Sequence, residues 1–146
     1  MTDIYTLLKK DHDELKPMLE ELAQGRQDPF ERMASGLKAH SEAEEMTFYK
    51  SLEYAPETQD LVAEGYKEHK EADRLSQELM TAKGGYGDDF MSIARELREA
   101  VEHHLEEEEG ELFHEARSIL SQEEAESIGA RFEQNKHAMT QGAAFT

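Results

Sequence analysis

The chain has 146 residues, 37% of them hydrophobic and 34% charged, with 34 acidic residues against 16 basic ones for a net charge of −18. That length suits one domain spanning residues 1–146 with a core of its own, and the negative field opposes binding to nucleic acid or anionic lipid. Cysteine is absent, which excludes disulfides, zinc–thiolate sites and iron–sulfur clusters and fits a reducing cytoplasm.

The opening stretch "MTDIYTLLKKDHDELK" is charged throughout and lacks the apolar run of a signal peptide. Nowhere do about 18 apolar residues follow one another, so a cytoplasmic chain with no membrane partner is expected. Proline and glycine breaks at "GRQDPF" (25–30), "EYAPE" (53–57) and "GGYGDD" (84–89) divide the sequence into long periodic segments. Asp28 before Pro29 predicts a helix start, with Asp28 as cap and the proline in the first turn. Pro56 predicts the next start, and Asp88 or Asp89 the one after. Ser121 with Glu124 forms a capping box for a short last helix that frays into "GAAFT". Sustained alternation is missing, and β-branched residues are sparse. The expected architecture is all-α: an up-down-up-down antiparallel four-helix bundle with a short C-terminal helix.

The apolar stripes of the four helices carry unexpected residues. Ile4, Leu8, His12, Leu15, Leu19 and Leu22 share one face of the first helix, and Met33, Leu37, His40, Glu44 and Phe48 one face of the second. The third stripe runs Val62, Tyr66, His69, Ala72 and Leu79, interrupted by Ser76. The fourth runs Phe90, Ile93, Leu97, Val101, His104, Glu108 and Leu112. Stripes with this period face a bundle interior. Each therefore points one histidine inward, and two add a glutamate one turn later. A buried carboxylate must be paired, protonated or bound to a metal, and no lysine or arginine shares these stripes near Glu44 or Glu108. Imidazole with carboxylate suits iron, manganese or zinc, and this many donors suits two ions better than one. Glu106, Glu107, Glu109 and Glu111 read as a solvated face, with support of the inward ligands as the alternative role, while His103 turns away from His104 and His114 and His137 lie on the surface. Tyr49 and Tyr66 lie within reach of the site, with packing as their expected role.

In sequence order these residues form a pattern: His12 in "LLKKDHDEL", "HSEAEEMTFY" (40–49), His69 in "YKEHKEAD", and "HLEEEEGELF" (104–113). The pattern resembles the hemerythrin-like, or HHE cation-binding, domain family over essentially the whole chain. The resemblance implies a bundle holding a non-haem di-iron centre, with His12, His40, His69 and His104 as terminal ligands and Glu44 and Glu108 bridging. Oxygen-carrying hemerythrins have a further histidine one turn after the third-helix ligand, where this chain has Asp73. The resemblance thus implies that Asp73, a tyrosine (Tyr49 or Tyr66) or water completes one shell. Pro17 is expected to kink the first helix just beyond His12. The function implied is binding or sensing of dioxygen, nitric oxide or peroxide, or buffering of iron. Turnover of peroxide or nitric oxide by the same centre, and a metal-stabilised interaction module, are the alternatives.

Overall fold

The computed structural model describes residues 1–84 and 88–144, and within them the chain forms five helices and no strand. Helix α1 is Ile4–Ala23, α2 covers residues 30–52, α3 is Gln59–Ala82, α4 covers residues 88–119, and α5 is Gln122–Ala144. Two of these change pitch part-way. In α2 a π-helical turn, Glu45–Tyr49, separates the α-helical Phe30–Glu44 from Lys50–Leu52. In α4 a π-helical turn, Glu108–Leu112, separates Asp88–Glu107 from Phe113–Ile119.

The helix starts follow local chemistry, with small displacements from expectation. Asp3 caps α1 by accepting a hydrogen bond from the Thr6 amide at 2.9 Å. Pro29, rather than Asp28, occupies the capping position of α2, and no side chain caps it. Pro56 lies in the turn before α3, whose cap position is Thr58; the buried Thr58 hydroxyl donates to the Leu52 carbonyl at 2.6 Å instead. Gly85, Tyr86 and Gly87, which hold part of the break before α4, lie outside the described residues, as does the capping expected of Asp88. The capping box at the last helix forms in both directions, Ser121 N–H to Glu124 Oε1 at 2.9 Å and Glu124 N–H to Ser121 Oγ at 3.1 Å.

The helices pack as a bundle in which α1 contacts α2 and α4, α3 contacts α4, and the α2–α3 seam is the loosest. Every stripe residue named above is buried except Tyr66, Ser76 and Ile93, which are half-buried. Apolar packing divides into two clusters. One is rich in aromatics, with Tyr5, Phe48, Tyr49, Phe113 and Phe132. The other is mainly aliphatic, with Leu15, Leu19, Leu22, Met33, Leu75, Leu79 and Leu97. On α1, His12 lies between Leu8 of the first cluster and Leu15 of the second, so the polar stripe residues fall between two apolar plugs.

Two expectations need correction. The C-terminal helix is not short: α5 has 23 residues and runs to Ala144, and residues 145–146 lie outside the description. Its length follows from burial, because Ala125, Ile128 and Phe132 complete the aromatic cluster and α5 packs on α1 and α2. Gly129 permits the contact, since a Cβ there would fall 2.6 Å from the Thr2 carbonyl oxygen. Pro17 does not interrupt α1, which is helical on both sides of it. Pro17 and Asp13, whose carbonyl loses its amide partner, are both exposed, where water can satisfy that carbonyl.

Candidate metal centre

All six predicted residues converge in one buried layer. His12 and His40 come from α1 and α2, His69 and His104 from α3 and α4, and Glu44 and Glu108 lie at the π-turns of α2 and α4. Two groups of potential metal donors result, His12–His40–Glu44–Glu108 and His69–His104–Glu44–Glu108, so the glutamates are common to both. Glu108 Oε1 lies 3.2 Å from His12 Nε2, and Glu108 Oε2 lies 3.3 Å from His104 Nε2. Glu44 Oε1 lies 3.1 Å from His69 Nε2 and 3.9 Å from His40 Nε2. The four Nε2 atoms, both Glu44 oxygens and Glu108 Oε1 are buried without a hydrogen-bond partner. So many orphaned polar atoms facing one another would be strongly destabilising unless something satisfies them. Imidazole nitrogens with shared carboxylates fit a metal centre.

The histidine orientations are fixed by four other carboxylates. Nδ1 of His40 meets Asp11 Oδ2 at 2.8 Å, that of His69 meets Glu45 Oε2 at 2.7 Å, that of His104 meets Glu68 Oε1 at 2.6 Å, and that of His12 meets Glu109 Oε2 at 2.7 Å. The circuit is closed. Each helix from α1 to α4 supplies the acid that holds the histidine of the next, and α4 returns to α1. An Nδ1–H bound to a carboxylate leaves the Nε2 lone pair facing inward, the arrangement a metal ligand requires. Sequence reasoning missed Asp11, Glu45 and Glu68 and placed Glu109 on a solvated face. Their signal is adjacency: Asp11 and Glu68 each precede a stripe histidine, and Glu45 and Glu109 each follow a stripe glutamate. The π-turns explain the second pair. An i→i+5 turn widens the helix and re-aims side chains, so consecutive glutamates serve the layer and a neighbouring helix at once.

The hemerythrin HHE cation binding domain matches residues 3–116. This chain belongs to the hemerythrin HHE family. The match ends within α4, so α5 lies beyond it. The chain is also similar to a protein from Nostoc sp. (strain PCC 7120 / SAG 25.82 / UTEX 2576) described as a DNA nickase, at 29% identity over 147 residues, covering 95% of this chain and 40% of that protein. The chain thus spans well under half the length of that relative. No solved structure shows a significant match.

Within this HHE domain, burial and then the Glu108 carboxylate hold Glu44 well above the usual carboxylate range. Burial also opposes the ionised form of Glu108, but the adjoining Glu44 carboxyl and the charge of His104 outweigh it and hold Glu108 well below that range. Without a metal the two carboxylates therefore share one proton. Burial would lower His104, yet Glu108 and Glu68 outweigh it and raise that imidazole to about 10. His40, beside Asp11 but wholly buried, is lowered by desolvation. A cation entering this layer replaces protons already there.

The remaining predicted residues separate clearly. Asp73 is exposed and accepts from Gln77 Nε2 at 2.8 Å, so it does not face the layer. Tyr66 donates to Glu53 Oε2 at 3.2 Å, outside the layer. Tyr49 does join it, donating from its hydroxyl to Glu108 Oε2 at 2.9 Å while its ring stacks on His69 at 5.2 Å. Burial and then Glu108 keep the Tyr49 phenol protonated, well above its usual range. Gly65 makes this possible, because a Cβ there would lie 2.7 Å from Tyr49 Cζ. His103, Glu106, Glu107, Glu111, His114 and His137 are exposed, as expected.

Proposed function

We propose that this protein is a non-haem di-iron protein that binds or senses a small ligand, dioxygen, nitric oxide or peroxide, at the His69–His104 side of the layer. The observation that carries this reading is the pair of donor groups sharing Glu44 and Glu108, with their Nε2 and carboxylate atoms otherwise unsatisfied. His12 and His40 would hold one ion, His69 and His104 the other, and both glutamates would bridge. Iron bound there would supply redox-active, Lewis-acidic positions. Four protein donors per ion fall short of an octahedral shell, and Asp73 does not add a fifth. The chain's own contribution is to orient the imidazoles through the carboxylate circuit and to keep a protonated phenol, Tyr49, against Glu108. A groove of about 570 Å³ in the loose α2–α3 seam reaches Glu45 and His69, which supports this side as the approach for a small ligand.

The DNA nicking named for the Nostoc relative is not part of this reading. The matched region is 40% of that protein, and a net charge of −18 opposes approach to a phosphate backbone.

Elemental analysis after iron-replete expression tests the proposal. Close to two irons per chain are expected, together with an absorption change on adding nitric oxide or peroxide. Glu108→Ala should lose most of the metal and Glu106→Ala should keep it, since Glu106 is exposed. One iron or fewer in the unmutated protein, or equal losses in the two variants, would overturn the dinuclear assignment.

A further inference from the structure

A second group of metal-binding side chains lies outside the buried layer. His103 and Glu107, one turn apart on α4, approach to 3.1 Å between Nε2 and Oε1, and Glu68 Oε2 reaches to 3.9 Å from the same nitrogen. One donor atom from each of the three lies within 4.8 Å of the other two. His103 and Glu107 are largely solvent-exposed, whereas Glu68 is mostly buried.

A cavity lined by Glu68 and Glu107 of this group is also lined by His104 and Glu108 of the centre. It holds about 80 Å³, room for several waters at about 10–15 Å³ each. Its exposed wall is formed by Glu64, Glu107 and Glu111, and its inner wall by Tyr49, His104 and Glu108. His104, whose Nε2 is one of the unsatisfied atoms already described, and Glu108 lie at its inner end. Glu68 belongs to both ends, with Oε1 on His104 Nδ1 and Oε2 toward His103. No lysine or arginine lines this cavity among the described residues, whereas Lys38 and Lys70 line the α2–α3 groove.

We infer that Glu68, His103 and Glu107 form an outer cation site from which divalent transition-metal ions pass along this acidic cavity to the buried pair. The reasoning rests on the dimetal reading above and extends it to how the ions arrive. One imidazole and two carboxylates hold such an ion loosely, because two of the three groups are hydrated. The surrounding carboxylates raise the local cation concentration. Transfer then exchanges Glu107 and His103 for the Nε2 and carboxylate donors of the layer, with Glu68 within reach of both. The alternative is a hydrated contact between His103 and Glu107 that binds no metal.

Cobalt(II) mixed with apoprotein in a stopped-flow instrument separates the two. Its visible absorption reports occupancy of the buried donors. The double variant H103A/E107Q alters exposed side chains only, and circular dichroism checks its helicity. Loading at low cobalt should slow by roughly tenfold in the variant, with the same final absorption. Equilibrium dialysis should find one weakly held cobalt fewer per chain. Equal loading rates, or equal cobalt content, would overturn the outer site. Absence of a visible cobalt band in both proteins would overturn the dimetal reading itself.

Discussion

The two halves of the candidate centre use the same residue types and differ in what surrounds them. His12 and His40 are 0% and 2% exposed. His40 packs edge-on against Phe132 of α5, and its carboxylate partner Asp11 is ion-paired with Lys136 of the same helix. His69 and His104 are each 8% exposed. Their partners Glu45 and Glu68 are partly in solvent, and the groove and the smaller cavity both end on this side. α5, a helix outside the region matched by the HHE domain, covers His40 and Asp11, and although the Glu109 partner of His12 is itself partly in solvent, neither cavity is lined by His12 or His40. Equivalent histidines thus have unequal access, so on the proposed dimetal reading exchange with solvent falls to the His69–His104 half and anchoring to the His12–His40 half.

Chemical rescue gives the largest contrast. Replacing His69 or His12 with glycine removes one donor from one half, and each variant should lose the ion of that half. Added imidazole should restore iron in H69G, where a path from solvent exists, and fail to do so in H12G. Iron content with and without imidazole measures this, and equal rescue would erase the distinction between the halves.

Tyr49 belongs to the His69–His104 half, and Gly65→Ala probes how tightly it is held. The new methyl would overlap the phenol, an overpacking that costs about 1–3 kcal/mol. At about 2–4 °C per kcal/mol for a chain of this size, the melting temperature should fall by several degrees. Gly36→Ala is the control, because its Cβ would meet only Leu15 Cδ2 at 3.9 Å. Matching melting temperatures in the two variants would show that Tyr49 has room to move.

Protonation distinguishes the halves most gently. His104 is raised to about 10 in the folded metal-free protein, against an ordinary 6.5. The folded state then binds more protons than the unfolded one, so this stability is fully present below pH 6.5 and is lost as pH rises toward 10. Glu44, also raised, acts in the same direction above its ordinary 4.5. His40 is lowered, so its contribution is complete by pH 6.5 and adds no slope above it. Apoprotein melting temperatures should decline between pH 6.5 and 10, and the metal-loaded protein should show a smaller decline, since bound donors have already released their protons. Parallel curves for the two forms would show that His104 is not protonated in the apoprotein.

Apolar residues at helical spacing were enough to reveal four helices, because burying one stripe per helix is what organises a bundle. The same stripes exposed six inward polar residues, because a histidine or glutamate in an apolar row has no cheap solvated alternative. The carboxylate circuit was hidden for a different reason. Asp11, Glu45, Glu68 and Glu109 are neighbours of stripe residues but not members of the stripes, and in a chain with 34 acidic residues nothing local marks them out. Two of them reach their histidines beside π-turns, which break the 3.6-residue period that sequence reasoning assumes. The extent of α5 and the covering of one half were likewise decided by tertiary packing: Phe132 and Lys136 find their partners His40 and Asp11 on distant segments. Which residues point inward is a property of each helix alone, and so can be read along the chain. Which acid holds which imidazole, and which half water can reach, depend on how separate helices meet, and so appear only when they are packed.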